Sequence, residues 1–130
     1  MKAISVKQPF AGFINAKIKT IETRTWEPKY RGDILICASK VSMRPKELDK
    51  TAREAFIKSK GCNFQNGIAL CVARLVAIQP MIKIDEAEAC CEIYPGAFSW
   101  KLKDIRPIKP FPVKGKLSLF EVDDNLIEYL

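Results

Sequence analysis

Lys2 to Val6 is a mostly apolar run and predicts a short opening strand. Pro9 suits the first turn of a helix, where its missing N–H costs nothing. Phe10, Phe13 and Ile14 follow at i, i+3 and i+4 and give that helix one apolar stripe. Thr20 to Trp26 is β-rich, and strand alternation puts Ile21 on one face and Glu22, Arg24 and Trp26 on the other. Pro28 to Gly32 punctuates a turn, and Asp33 to Ala38 reads as a strand with Ile34 and Ile36 sharing a face.

Pro45 opens the longest predicted helix, with Leu48, Ala52, Ala55 and Phe56 at helical spacing and Gly61 as its stop. Gly67 to Ile78 is almost wholly apolar, which predicts a strand covered on both faces. Asp85 and Glu88 have N-cap and N3 spacing for a short helix ending near Pro95–Gly96. Ala97–Leu102 and Leu117–Val122 supply two more strands, and the proline-bearing stretch Arg106–Lys116 between them predicts a rim loop. The order β-α-β-β-α-β-α-β-β, with many short strands, points to an α+β domain built on a small barrel with helices outside it.

Composition leaves that picture intact. A chain of 130 residues, 48% hydrophobic and 28% charged, fits one globular domain spanning 1–130. No apolar run approaches the roughly 20 residues that cross a bilayer, and the N-terminus has no apolar h-region. The expectation is a soluble, cytoplasmic protein with no membrane partner. There are five cysteines, none in a C-x-x-C pair, and no histidine. A metal site is therefore not expected, nor a Ser-His or Cys-His pair, and no cofactor is called for. Any catalysis must use Lys, a carboxylate, Tyr or Cys.

Charge changes the picture more. Residues 1–60 hold 14 Lys/Arg against 6 Asp/Glu, whereas residues 61–130 hold 8 against 9. A one-sided basic excess is the footprint of a polyanion binder, although a solvated basic surface has the same composition. Within the basic half, Lys19, Glu22, Arg24 and Trp26 cluster in one short stretch. Charges beside a ring make poor core material, because a buried ion must be paired and hydrogen-bonded. An exposed Glu22–Arg24 pair would contribute only about 0–1 kcal/mol, so stability alone gives it little reason to exist.

These residues resemble the ASCH domain (activating signal cointegrator homology), a branch of the PUA-like superfamily of small β-barrels. Its signature, G-x-K-x-x-E-x-R, is matched by Lys17-Ile-Lys19-Thr-Ile-Glu22-Thr-Arg24, with Lys17 in place of the glycine. Flanking blocks are similar too: Ser5-Val-Lys-Gln-Pro-Phe10, Tyr30-Arg-Gly-Asp-Ile-Leu-Ile36 and Phe111-Pro-Val-Lys-Gly115. The Ser-x-x-Gln-Pro-aromatic block, the Trp after the arginine and the Arg-Gly turn are nearest the coactivator-type subgroup. The resemblance implies a PUA-like small mixed β-barrel with about three flanking α-helices. It implies a cleft over the barrel for RNA, DNA or a nucleotide-like ligand. Some bacterial relatives are enzymes, an acetylcytidine amidohydrolase and a ribonuclease, and the amidohydrolase branch has a threonine where Glu22 stands. At Lys17, either the turn differs from a glycine turn or the lysine adds a cation for phosphate.

Two functional expectations follow. The first is a nucleic-acid-binding module, RNA foremost, with Lys19, Arg24 and Arg31 on phosphate and Trp26 or Tyr30 stacking on a base. Trp26 and Tyr30 are equally candidates for the core, and Phe10 and Trp100 read as packing. Gln8 could meet a base edge or cap the first helix, and Lys114 could contact the ligand from the rim. The second is a metal-independent hydrolase of a modified nucleoside or RNA with Lys19 and Glu22 as its acid–base pair. A third possibility is a cleft that receives a peptide or acidic partner.

Overall fold

The structure is a computed structural model describing residues 1–130. Its strands and α-helices are β1 (Lys2–Val6), α1 (Phe10–Asn15), β2 (Ile21–Arg24), β3 (Gly32–Ala38), α2 (Lys50–Ile57), β4 (Ile68–Pro80), α3 (Glu86–Ala89), β5 (Phe98–Pro112) and β6 (Phe120–Glu121). The order is the one the hydrophobic pattern predicts. No helix is long and apolar enough to cross a membrane.

The strands form one mixed α+β sheet in the order β2-β5-β4-β3-β1-β6. β1 and β3 run parallel, with Ile4 opposite Ile36, and the other pairs are antiparallel. Register shifts in the long β4–β5 ladder, at Ala69/Cys71, Val72/Arg74 and Leu75/Ala77, curl the sheet. The outermost strands β2 and β6 do not pair. Even so, Arg24 on β2 reaches across to donate Nη2 to the Ser5 carbonyl of β1 at 2.8 Å. The sheet is thus barrel-like with an open seam.

Alternation along the central strands buries both faces. Ile34, Ile36 and Ala38 of β3 and Leu70, Ala73 and Leu75 of β4 join a cluster that includes Ala11 and Ile14 of α1. Leu35, Cys37, Ala69 and Val72 point the other way, against Ile108 and Phe120, with Val122 and Ile127 of the C-terminal segment packed on them. All five cysteines are free thiols, and of these Cys62 alone is not buried. Burial pushes the thiols of Cys37 and Cys71 up to about 12, so they serve as small core residues.

Several boundaries differ from the sequence expectations. β5 runs on to Pro112, through most of the stretch expected to be a rim loop. β2 pairs only with Phe98–Lys101, so the outer edge of Arg106–Pro112 lacks a full strand partner and its prolines forfeit little ladder bonding. Only an isolated bridge from Ile108 to Tyr129 meets that edge. Pro45 opens a short 3-10 turn, not the long helix. The extended backbone at Leu48 interrupts it, and α2 starts after Asp49, whose side chain accepts from the Ala52 N–H at 2.9 Å. α3 stops at Ala89, where Cys90 turns left-handed with φ 57°. Asp85 does not cap α3 with its side chain. Its carboxylate instead accepts from the Ile82 N–H and Ser99 Oγ and faces Lys101 Nζ at 3.2 Å.

Candidate functional site

A cleft of about 1290 Å³ opens along the seam between β1 and β2. Lys19, Glu22 and Arg24 lie in its wall, with the segments after β1 and β3 and the loop before β6 around it. Three features of the sequence put the charged group there. α1 ends at Asn15, the chain turns at Lys17, and β2 then carries Glu22 and Arg24 on the seam side. Lys17 has φ 64°, the left-handed conformation that glycine adopts readily, so the lysine holds a glycine-type backbone here. Its side chain is exposed and does not line the cleft, so it adds no cation there.

Lys19 is 1% exposed, and an ammonium in that position needs complete satisfaction. Nζ donates to the Ala89 carbonyl at 2.5 Å, at the C-terminal end of α3. It stands 3.4 Å from Glu22 Oε1 and 5.0 Å from the centre of the Phe10 ring. Glu22 is buried and takes two cations on one carboxylate. Its Oε2 accepts from Arg24 Nε at 3.0 Å and lies 2.9 Å from Arg24 Nη2. Burial alone would push the Glu22 carboxyl up. The charges of Arg24 and Lys19, the Arg24 hydrogen bond and the Thr23 N–H outweigh it, and Glu22 is held below the ordinary carboxylate range. Arg24 Nη1 makes no hydrogen bond. Two cations sharing one carboxylate leave the floor positive, with a donor to spare for an anion.

The rim extends this character. Lys7, Lys40, Lys114 and Lys116 line the cleft without ion-pair partners. Of the lining carboxylates, Glu47 is paired with Arg44, and Asp49 is occupied by the backbone N–H groups of Ala52 and Glu92. Asp49 and Glu92, neither with a cation partner, carry the unpaired negative charges of that wall. Gly115 brings the Lys114–Lys116 loop close: a Cβ there would lie 2.6 Å from Ser5 Oγ, which is itself 2.9 Å from Ser39 Oγ.

The cleft gathers Lys19, Glu22, Arg24 and Lys114 and leaves out the other candidates. Gln8 is buried, and its amide is spent on the fold. Oε1 accepts from the Gly12 N–H at 2.8 Å and Nε2 donates to the Asn63 and Gln65 carbonyls, so the capping alternative is the one observed. Trp26 lies past the end of β2, where the alternation is lost, and packs edge-on against Trp100 at 5.0 Å. Tyr30 packs on the core and donates its hydroxyl to the Asp33 carbonyl. Arg31 is exposed and folds back to the Pro28 and Tyr30 carbonyls. Phe10, read as a packing residue, is half-buried and also lines the cleft beside Lys19.

Sequence reasoning missed Ser5, Lys7, Lys40, Cys91 and Tyr94 as lining residues. Ser5 and Lys7 precede the Gln8-Pro9 pair in the same block and are legible as its neighbours. Cys91 and Tyr94 reach the site through the loop after α3, and burial raises the pKa of both. Nothing local in their sequence marks them.

Residues 4–112 match the model of the ASCH domain. No curated protein matches the chain. Among solved structures it is similar to the ASCH protein of Zymomonas mobilis, with a TM-score of 0.61 at 19% identity over 95% of this chain and 88% of that one. A Ser-to-Ala mutant of the same protein gives 0.60 at 16% identity, covering 98% and 96%. A Tyr-to-Phe mutant gives 0.57 at 17%, covering 95% and 90%.

Proposed function

Since this chain belongs to the ASCH domain family, we propose that it binds nucleic acid, RNA foremost, in the seam cleft. The observation that carries this reading is the Lys19–Glu22–Arg24 group, which leaves an uncompensated positive charge on the cleft floor under four unpaired rim lysines. A phosphate at Arg24 Nη1 would balance the floor, and Lys40 and Lys114 would meet neighbouring phosphates. The five free thiols favour a cytoplasmic setting.

The test is anisotropy of a labelled single-stranded RNA octamer across a salt series. Lys40→Ala and Lys114→Ala are each expected to weaken binding and to flatten the log–log salt slope by about 0.7 per lost phosphate contact. Wild-type protein that ignores RNA at low salt overturns the reading.

The Lys19–Glu22 spacing of 3.4 Å favours a second reading, a metal-independent hydrolase of RNA or a modified nucleoside. Glu22 would take a proton from water while Lys19 supplies one. Turnover lost in folded Glu22→Gln with ligand binding retained supports it. Wild-type protein inert across an RNA and nucleoside panel rejects it.

A further inference from the structure

The cleft does not end at its basic floor. Met43 and Leu48 line it on one side and, on the other, line a second pocket of about 400 Å³. The second pocket holds Pro45, Phe56 and Phe64, with Arg53 at its edge. Phe56 and Phe64 are stacked, with ring centres 5.3 Å apart and planes 17° from parallel. Phe64 is locked in place: it meets Phe13 edge-on at 5.9 Å, and its ring sits so close to Gly12 that a Cβ there would come within 2.7 Å. Phe56 lies over it from α2 and is 49% exposed. An aromatic side chain half in water costs free energy in the unbound protein. Here it forms part of a stacked aromatic platform next to the seam cleft.

Resting on the nucleic-acid reading above, we propose that this second pocket is a base subsite. It takes an unstacked base of the same single strand whose phosphates lie in the seam cleft. Met43 and Leu48 form a wall common to both, so the two sites adjoin and one strand crossing that wall can occupy both. The polar cleft then holds backbone and the apolar pocket holds a base face, the division of labour that single-strand binders use. Arg53 donates Nη1 to the Leu48 carbonyl at 2.7 Å, and the stacked rings offer a face that any base can meet. The ligand class is a single-stranded oligonucleotide in preference to a mononucleotide or a duplex.

The experiment compares a single-stranded uridine octamer, the same octamer in a duplex, and uridine monophosphate. The expected result is that Phe56→Ala weakens octamer binding about tenfold and leaves monophosphate binding unchanged. Phe56→Tyr retains wild-type octamer affinity, which separates loss of the ring from loss of folding. Octamer affinity unchanged in Phe56→Ala, or a duplex bound as tightly as the single strand, overturns the base subsite. If Lys114→Ala still weakens the octamer in that case, the nucleic-acid reading stands without the subsite. Wild-type protein that binds no octamer removes both.

Discussion

Glu22 holds two cations on one carboxylate, so changing it does more than delete a contact. In Glu22→Gln the Lys19 ammonium stays buried without its counter-charge, and removing one partner of a buried pair costs about 3 to 5 kcal/mol. Chemical denaturation is expected to register that loss. The same residue sets an acid limit. Its folded pKa lies below the ordinary value of 4.5, so its stabilisation is complete above that pH. It is lost as the pH falls through the lower, folded value, because the unfolded chain takes up the proton first. Melting temperature measured from pH 7 to pH 3 should therefore fall less steeply in Glu22→Gln than in wild type; parallel profiles would clear Glu22 of that role. Lys17 makes a prediction of the opposite sign. A lysine at φ 64° carries left-handed strain, and Lys17→Gly should stabilise the fold by up to about 1 kcal/mol in the same titration.

The elements show why part of this architecture was legible and part was not. Apolar periodicity reports burial, and it placed β3 and β4 correctly because both faces of those strands are covered. It misread Arg106–Pro112, since whether a strand tolerates proline depends on how far its neighbour extends, and β2 stops short. The strand face that alternation gives Trp26, shared with Glu22 and Arg24, fails for a related reason: alternation holds only while the strand lasts, and β2 ends at Arg24. Gln8 could not be resolved from sequence, because its three partners lie on α1 and on a loop more than fifty residues away. At α1, the contact between Gly12 and Phe64 is tight enough to be tested. Gly12→Ala drives a Cβ to 2.7 Å from the Asn63 carbonyl and the Phe64 ring, and overpacking of that kind costs about 1 to 3 kcal/mol. A thermal melt at wild-type temperature would show that Phe64 can yield.

At the scale of the whole molecule, the C-terminal segment completes what the ASCH match leaves off at residue 112. Phe120, Val122 and Ile127 cover Leu35, Ala69, Val72 and Ile108, and the Lys114–Lys116 loop supplies part of the cleft rim. Deleting residues 119–130 should uncover that second core face and lower stability by about 3 kcal/mol or more, read by urea unfolding. The basic first half and the motif placed the cleft in sequence. Lys114 is a rim candidate in the sequence already; Tyr94 and the rest of the 114–118 loop come from distant segments and required the fold. The inventory of thiols has a practical consequence. With four of five buried, a maleimide dye should attach first at Cys62, slowly at neutral pH because burial raises that thiol, and faster as the pH rises. Cys62 is two residues from Phe64, so one conjugation step on the unmutated chain yields an optical reporter beside the aromatic platform.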